Sequence, residues 1–230
     1  MIDFKQISPA AIQTEPFTWA AIGNLYSADD AAALASTFPH NYFKTIKVRG
    51  ADKIQDYEAR SLVPMGKNIV SHSEDLSPAW LELAHELYST SYRSAMSAIT
   101  GYDLSEALIE VNIFHYGPGS SLGPHQDLAT KLVTHAIYFN PSWDAKDGGC
   151  LNILRSADAA DVSAIILPIV GNSAVIVRSE KSWHAVSPVV EECSWSRRSL
   201  TATFYHPGSP STMWLSDDAT PLHHVDIVDM

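Results

Sequence analysis

The chain of 230 residues has only two cysteines, Cys150 and Cys193, far apart and in no ligand-like spacing. That scarcity argues against a disulfide framework and favours a reducing compartment, the cytoplasm. Positive charge is also short: 15 Lys and Arg against 26 Asp and Glu give a formal net charge of −11. Such a balance leaves no basic face for a nucleic-acid backbone. Long apolar runs are missing too. The richest stretch, AIILPIVGNSAVIV, is broken by Pro168 and Gly171-Asn172 and is too short to span a bilayer. The opening MIDFKQISPA lacks the basic-then-apolar pattern of a signal peptide. Repeats and low-complexity tracts are absent from the sequence.

What remains is an ordinary globular composition, 46% hydrophobic and 18% charged, enough for a sizeable core. The expectation is one domain over residues 1–230, with no nucleic-acid or membrane partner and an oligomeric state that composition does not set. Residues 1–105 read as mostly helical. Ser27 can cap a helix through YSADDAAALASTF, and Ser77 with Pro78 opens a longer one that runs to Gly101. Trp80, Leu81, Ala84, Leu87, Tyr88, Tyr92, Ala95, Met96 and Ile99 form its apolar stripe. Residues 40–76, charged and without a clear period, are a loop or lid candidate.

From about residue 106 the period changes to two. ALIEVNIFHY, KLVTHAIYFN, CLNILR, SAIILPIV, SAVIVRS, AVSPVV and SLTATFYH read as strands separated by turn formers. Many short strands at this spacing suggest a sandwich or jelly roll over 106–206, followed by a tail at 207–230. The fold class expected is α+β, mainly β, with N-terminal helices on the outer face.

Within GPHQDLATKLVTHAIYFN, His125 and Asp127 stand two residues apart, so extended backbone returns both side chains to one face. Such a pair alone is weak. SWHAVSPVV adds His184 just before another strand. Two imidazoles and one carboxylate occupy one face of an octahedral ion and suit non-haem Fe(II), whereas structural zinc favours a closed tetrahedral shell. SWSRRSLTATFY adds arginine at a strand opening, able to clamp a carboxylate through two parallel hydrogen bonds. Alternation puts Arg197, Ser199, Thr201 and Thr203 on a polar face, and Arg198, Leu200, Ala202 and Phe204 on the face suited to the helices. Arg197 with Ser199 is therefore preferred, and Arg198 is the fallback. His115 and His135 fall on the opposite faces of their strands. Arg49 and Arg60 in the 40–76 segment are candidates for a substrate carboxylate. Gly148-Gly149 reads as a hairpin turn.

The run from Leu108 to His206 resembles the Fe(II)/2-oxoglutarate-dependent dioxygenases, and among them the prolyl-4-hydroxylase-like branch. The matching stretches are HYGPGSSLGPHQD, THAIYFNPSWDAKDGGCLNIL, SWHAVSPV and RRSLTATFY, in the family's order. The resemblance implies a double-stranded β-helix core, with His125, Asp127 and His184 as iron ligands and Arg197 on the distal carboxylate of 2-oxoglutarate. It implies Tyr138 beside that carboxylate and Tyr116 lining the co-substrate pocket. It further implies Fe(II), 2-oxoglutarate and O2 as requirements, and hydroxylation of an unactivated C–H bond with release of succinate and CO2. A carboxylate at Asp127 closes the position that halogenases of the superfamily open to halide. Thr203 stands where the family usually has a bulky aromatic. A compact chain leans toward a small-molecule substrate, such as a free or modified amino acid; a prolyl or other protein side chain is the alternative. A non-catalytic cupin-like binding protein or a zinc hydrolase are readings from other classes, and the second lacks an obvious water-activating base.

Overall fold

A computed structural model describes residues 1–50, 53–215 and 221. Before the barrel come β1 (Ile12–Gln13), β2 (Trp19–Ile22), α1 (Ala28–Ser36), β3 (Lys44–Gly50), β4 (Lys53–Val63), α2 (Pro78–Leu87) and α3 (Thr90–Thr100). Then follow β5 (Leu108–Tyr116), β6 (Leu122–His125), β7 (Lys131–Tyr138), β8 (Leu151–Leu154), β9 (Val162–Ile166), β10 (Ser173–Val177), β11 (His184–Val186) and β12 (Arg197–Tyr205). All seven strands expected from the alternation are present.

The strands join antiparallel in the order β1-β2-β10-β7-β12-β5-β4-β6-β11-β8-β9, with β3 paired to β4. This ribbon folds back on itself, so that β5, β7, β10 and β12 face β6, β8 and β11 across one cavity. That is the double-stranded β-helix, mainly β, with the helices on the outer face of the larger layer. Leu83, Tyr92, Met96 and Ile99 pack there with Val111, Ile113, Leu200, Ala202 and Phe204. Trp80 is fully buried, with its indole N–H donating to the Leu34 carbonyl at 3.0 Å and its ring 4.5 Å from that of Phe139.

The first hundred residues depart from expectation in two places. The 40–76 segment is no loop: β3 and β4 form a hairpin whose second strand pairs with β5 (Arg60 opposite Ile113). The N-terminal part therefore carries a substantial share of strand beside its helices. The long helix from Pro78 to Thr100 is two helices. Ser89 leaves helical geometry and accepts from the Tyr92 N–H at 3.1 Å, capping α3 where one continuous helix was expected. Within α2, Leu83 is fully buried and Leu81 is not. Ser27, Ser77 and Gly101 do cap where the sequence placed them.

Candidate active site

β6 and β11 run antiparallel with His125 and His184 as direct register partners, their rings 4.2 Å apart. Asp127 lies two residues beyond His125. One ligand atom from each of the three side chains falls within 4.8 Å of the others, the only such group among the described residues. The imidazoles are held alike: His125 Nδ1 is 2.9 Å from the Gly123 carbonyl and His184 Nδ1 is 2.9 Å from the Ser182 carbonyl. A carbonyl can only accept, so both Nδ1 atoms carry the proton and both Nε2 lone pairs are free for a metal. Burial and the facing His184 push the His125 pKa down to about 3, and burial likewise lowers that of His184. Burial alone would raise the Asp127 pKa, but Lys131 and the two histidines overcome it and hold the carboxyl well below the usual range. Two neutral imidazoles and an ionised carboxylate are the forms that ligate.

Asp127 is held at both oxygens. Thr134 Oγ1 donates to Oδ2 at 2.8 Å, and Lys131 Nζ lies 2.7 Å from Oδ1. Sequence reading passed over both residues. Thr134 was legible as an inward position on β7, on the face of Ala136 and Tyr138. Lys131 was not, because odd positions on β7 face the helices. The pairing of β7 with β12 slips at this end: Val133 opposes Phe204, but Lys131 opposes Tyr205, leaving Leu132 without a counterpart. One surplus residue re-aims Lys131 into the cavity.

The cavity has a volume of about 290 Å³ and runs from the triad to Arg197. Arg197 is 3% exposed, donates to Ser199 Oγ at 2.6 Å, and lies 4.8 Å from the ring centre of Tyr116 and 5.3 Å from that of Tyr138. Among the described residues no carboxylate is within ion-pair range of it. Its Nε and the Tyr138 hydroxyl are both buried without a hydrogen bond of good geometry. The hydroxyl still feels the guanidinium: burial pushes Tyr138 and Tyr116 up to about 12, with Arg197 opposing in each case. An unsatisfied buried donor costs about 1–3 kcal/mol, so a cation and a hydroxyl left open at one end of a cavity suit an anionic ligand. 2-Oxoglutarate fits these groups with its distal carboxylate, as Fe(II) fits the donor set of the triad.

Other candidates fall elsewhere. Arg198 turns to the helices, over the Phe38 ring and toward the Ala35 carbonyl, which removes the fallback. Arg60 is buried beneath Tyr42 and donates to the Asn41 and Ser71 carbonyls; it is outside the cavity and fastens the hairpin. The Arg49 side chain, His223 and His224 lie outside the described residues. His115 pairs with Glu58, and His135 with the Tyr92 hydroxyl. Thr203 lines the cavity, as do Thr201 and Tyr205. Gly148 does more than turn a hairpin: at φ +70°, a Cβ there would lie 1.8 Å from the Pro188 carbonyl oxygen. A Cβ at Gly149 would press on Trp143 and Val189 and come within 3.5 Å of Arg197 Cβ, so the pair lets the strand backing the site approach.

The tail after β12 folds back over the open end. Ser211 donates to Glu110 and accepts from the Met213 and Trp214 N–H groups, while the Trp214 indole donates to Asn112 Oδ1 at 2.7 Å. Thr212 and Met213 thereby roof the cavity.

Residues 111–206 match the family described as the 2OG-Fe(II) oxygenase superfamily. This stretch is a 2OG-Fe(II) oxygenase domain. A curated relative, the prolyl 3-hydroxylase OGFOD1 of Mus musculus, is 29% identical over 120 residues, which are 50% of this chain. The chain spans about a fifth of that relative's length, 22%. Among solved structures, a prolyl-4-hydroxylase of Pseudomonas putida is similar with a TM-score of 0.59 at 23% identity, covering 82% of this chain and 92% of that one. A Trichoplax adhaerens prolyl hydroxylase, in complex with a hypoxia inducible factor peptide fragment, gives 0.59 at 16% identity, with 81% and 83% covered. These likenesses are in fold. The family of that match uses Fe(II), 2-oxoglutarate and O2, and His125, Asp127 and His184 could hold such an iron. No helix among the described residues is long and apolar enough to cross a membrane.

Proposed function

We propose that the chain hydroxylates an unactivated C–H bond of a small molecule, a free or modified amino acid, with His125, Asp127 and His184 as the Fe(II) ligands. The observation that carries this reading is the convergence of the three ligand atoms with both Nδ1 atoms tied back. Arg197, with Ser199 at its side and the open Tyr138 hydroxyl, receives the distal carboxylate of 2-oxoglutarate; Tyr116 forms the wall between that end and the triad. Bound iron and co-substrate supply the oxidative chemistry, in which 2-oxoglutarate becomes succinate and CO2 and one oxygen atom enters the substrate.

The protein orients and excludes water. Thr134 fixes the plane of the Asp127 carboxylate, the two backbone carbonyls fix the rings, and the roof at Thr212 and Met213 narrows the open end. That roof supports a small substrate, because a polypeptide needs an open groove on either side of the reacting residue. The experiment is succinate formation with Fe(II), 2-oxoglutarate and a panel of amino acids and short peptides. Substrate-stimulated succinate is expected from the wild type and is lost at least a hundredfold in His184→Ala. Wild-type turnover in that variant would end the assignment.

A protein side chain is the second reading, favoured by the relative named a prolyl 3-hydroxylase and by the neighbour solved with a peptide. Stimulation by proline-containing peptides and not by free amino acids would select it.

A further inference from the structure

The oxygenase reading absorbs every charged group that lines the cavity except Lys131. Its side chain is 19% exposed, near the mouth, whereas Arg197 is buried at the other end. Its aim is specified by the slip at Leu132: on an unbroken strand the ammonium would face the helices. A sheet irregularity that turns a long cation onto a ligand-lined wall calls for an account beyond an ion pair with Asp127.

Charge in the loaded site supplies one. The two positive charges of Fe(II) match the two negative charges of 2-oxoglutarate, and Arg197 offsets Asp127. Lys131 is then left over. The metal also takes over the neutralisation of Asp127 that Lys131 provides now, and like charge drives the ammonium away from it, toward the open part of the cavity. The remaining lining there is neutral: Gln126, Thr203, Tyr205, Thr212 and Met213. Glu110 is near enough to act on the ammonium through charge, but its oxygens take the Tyr205 and Ser211 hydroxyls and it lies outside the lining, so a ligand in the cavity meets the ammonium and not that carboxylate. A cation facing a chamber whose remaining lining is neutral selects an anion.

We propose that Lys131 anchors an oxyanion of the substrate, a carboxylate or a phosphate, at the mouth of the cavity. This rests on the oxygenase reading and gives its substrate a chemical class. The test uses the protein loaded with Mn(II) and 2-oxoglutarate, which does not turn over, with ligand binding read from Mn(II)-enhanced NMR relaxation. Matched pairs probe the anion: N-acetylproline, N-acetylleucine and N-acetylglutamine against their carboxamides, and phosphoserine against serine.

At least one acid is expected to bind tenfold or more tightly than its neutral partner, and the pair that shows the gap tells carboxylate from phosphate. Lys131→Met should abolish the gap and Lys131→Arg should keep it. In the same Lys131→Met protein, Mn(II) affinity measured without other ligands should rise several-fold, since a competing cation has left Asp127; a variant merely damaged in fold would bind the metal more weakly. Equal binding of every acid and its neutral partner, binding by none of them, or a gap that survives Lys131→Met overturns the proposal. Failure of the wild type to bind Mn(II) or 2-oxoglutarate overturns the oxygenase reading itself, and is seen before any pair is added.

Discussion

At the scale of single residues, the site rests on groups whose neighbours leave them one role. His125 and His184 keep a free Nε2 because each Nδ1 is spent on a carbonyl. Gly148 is as constrained as either ligand. Its positive φ and the 1.8 Å approach to the Pro188 oxygen leave no room for a methyl group. Gly148→Ala should therefore destabilise the fold by about 3 kcal/mol or more, from backbone strain together with a forced displacement of backbone. Urea unfolding checks it, and a loss below about 1 kcal/mol would mean that the 188–189 segment simply shifts. The converging triad was legible in the sequence because residue type and spacing carry it. Lys131 was hidden by one unpaired residue, and an irregularity of that kind leaves no periodic trace.

At the scale of elements, the strands from β5 onward could be read because half-buried antiparallel strands alternate, and β12 sorted its own faces correctly. Arg197, Ser199, Thr201 and Thr203 do face the cavity, while Leu200, Ala202 and Phe204 meet the helices. The β3–β4 hairpin was illegible for the converse reason: a charged hairpin shows little alternation, and its pairing partner β5 is some fifty residues away. The break at Ser89 was hidden by an apolar stripe that continues across it. One hydroxyl carries several of the bonds that hold the roof over the cavity, beside the Trp214–Asn112 and Tyr205–Thr212 bonds. Ser211 makes three hydrogen bonds, one to Glu110 and two from the amides of Met213 and Trp214. Ser211→Ala should speed hydrogen exchange at those two amides by about tenfold or more, given about 1 kcal/mol or above for lost bonds. Unchanged exchange would show that the Trp214–Asn112 bond alone holds the segment.

At the scale of the whole molecule, a metal that binds only the folded form stabilises all of it. Mn(II) at a hundred times its dissociation constant adds about 2.7 kcal/mol. For a chain of this size that corresponds to a rise in Tm of roughly 5–10 °C. Thermal unfolding with and without a chelator measures it, and His184→Ala should lose the increment. A rise that persists in the variant would place the ion elsewhere. The fold class could be read from the period-two strands, whereas the layered order of β6 and β11 against β5 and β12 is a long-range property that local pattern does not carry.

The pairing of His125 with His184 reaches beyond chemistry. Because the two are cross-strand partners, sliding β6 past β11 by one position would turn one ring out of the chamber and break its tether in the same step. Divalent ion uptake would then be switched off, not graded down. On the proposed assignment, titrated metal would count the molecules whose two strands have docked in correct alignment, and the centre would double as a built-in gauge of assembly.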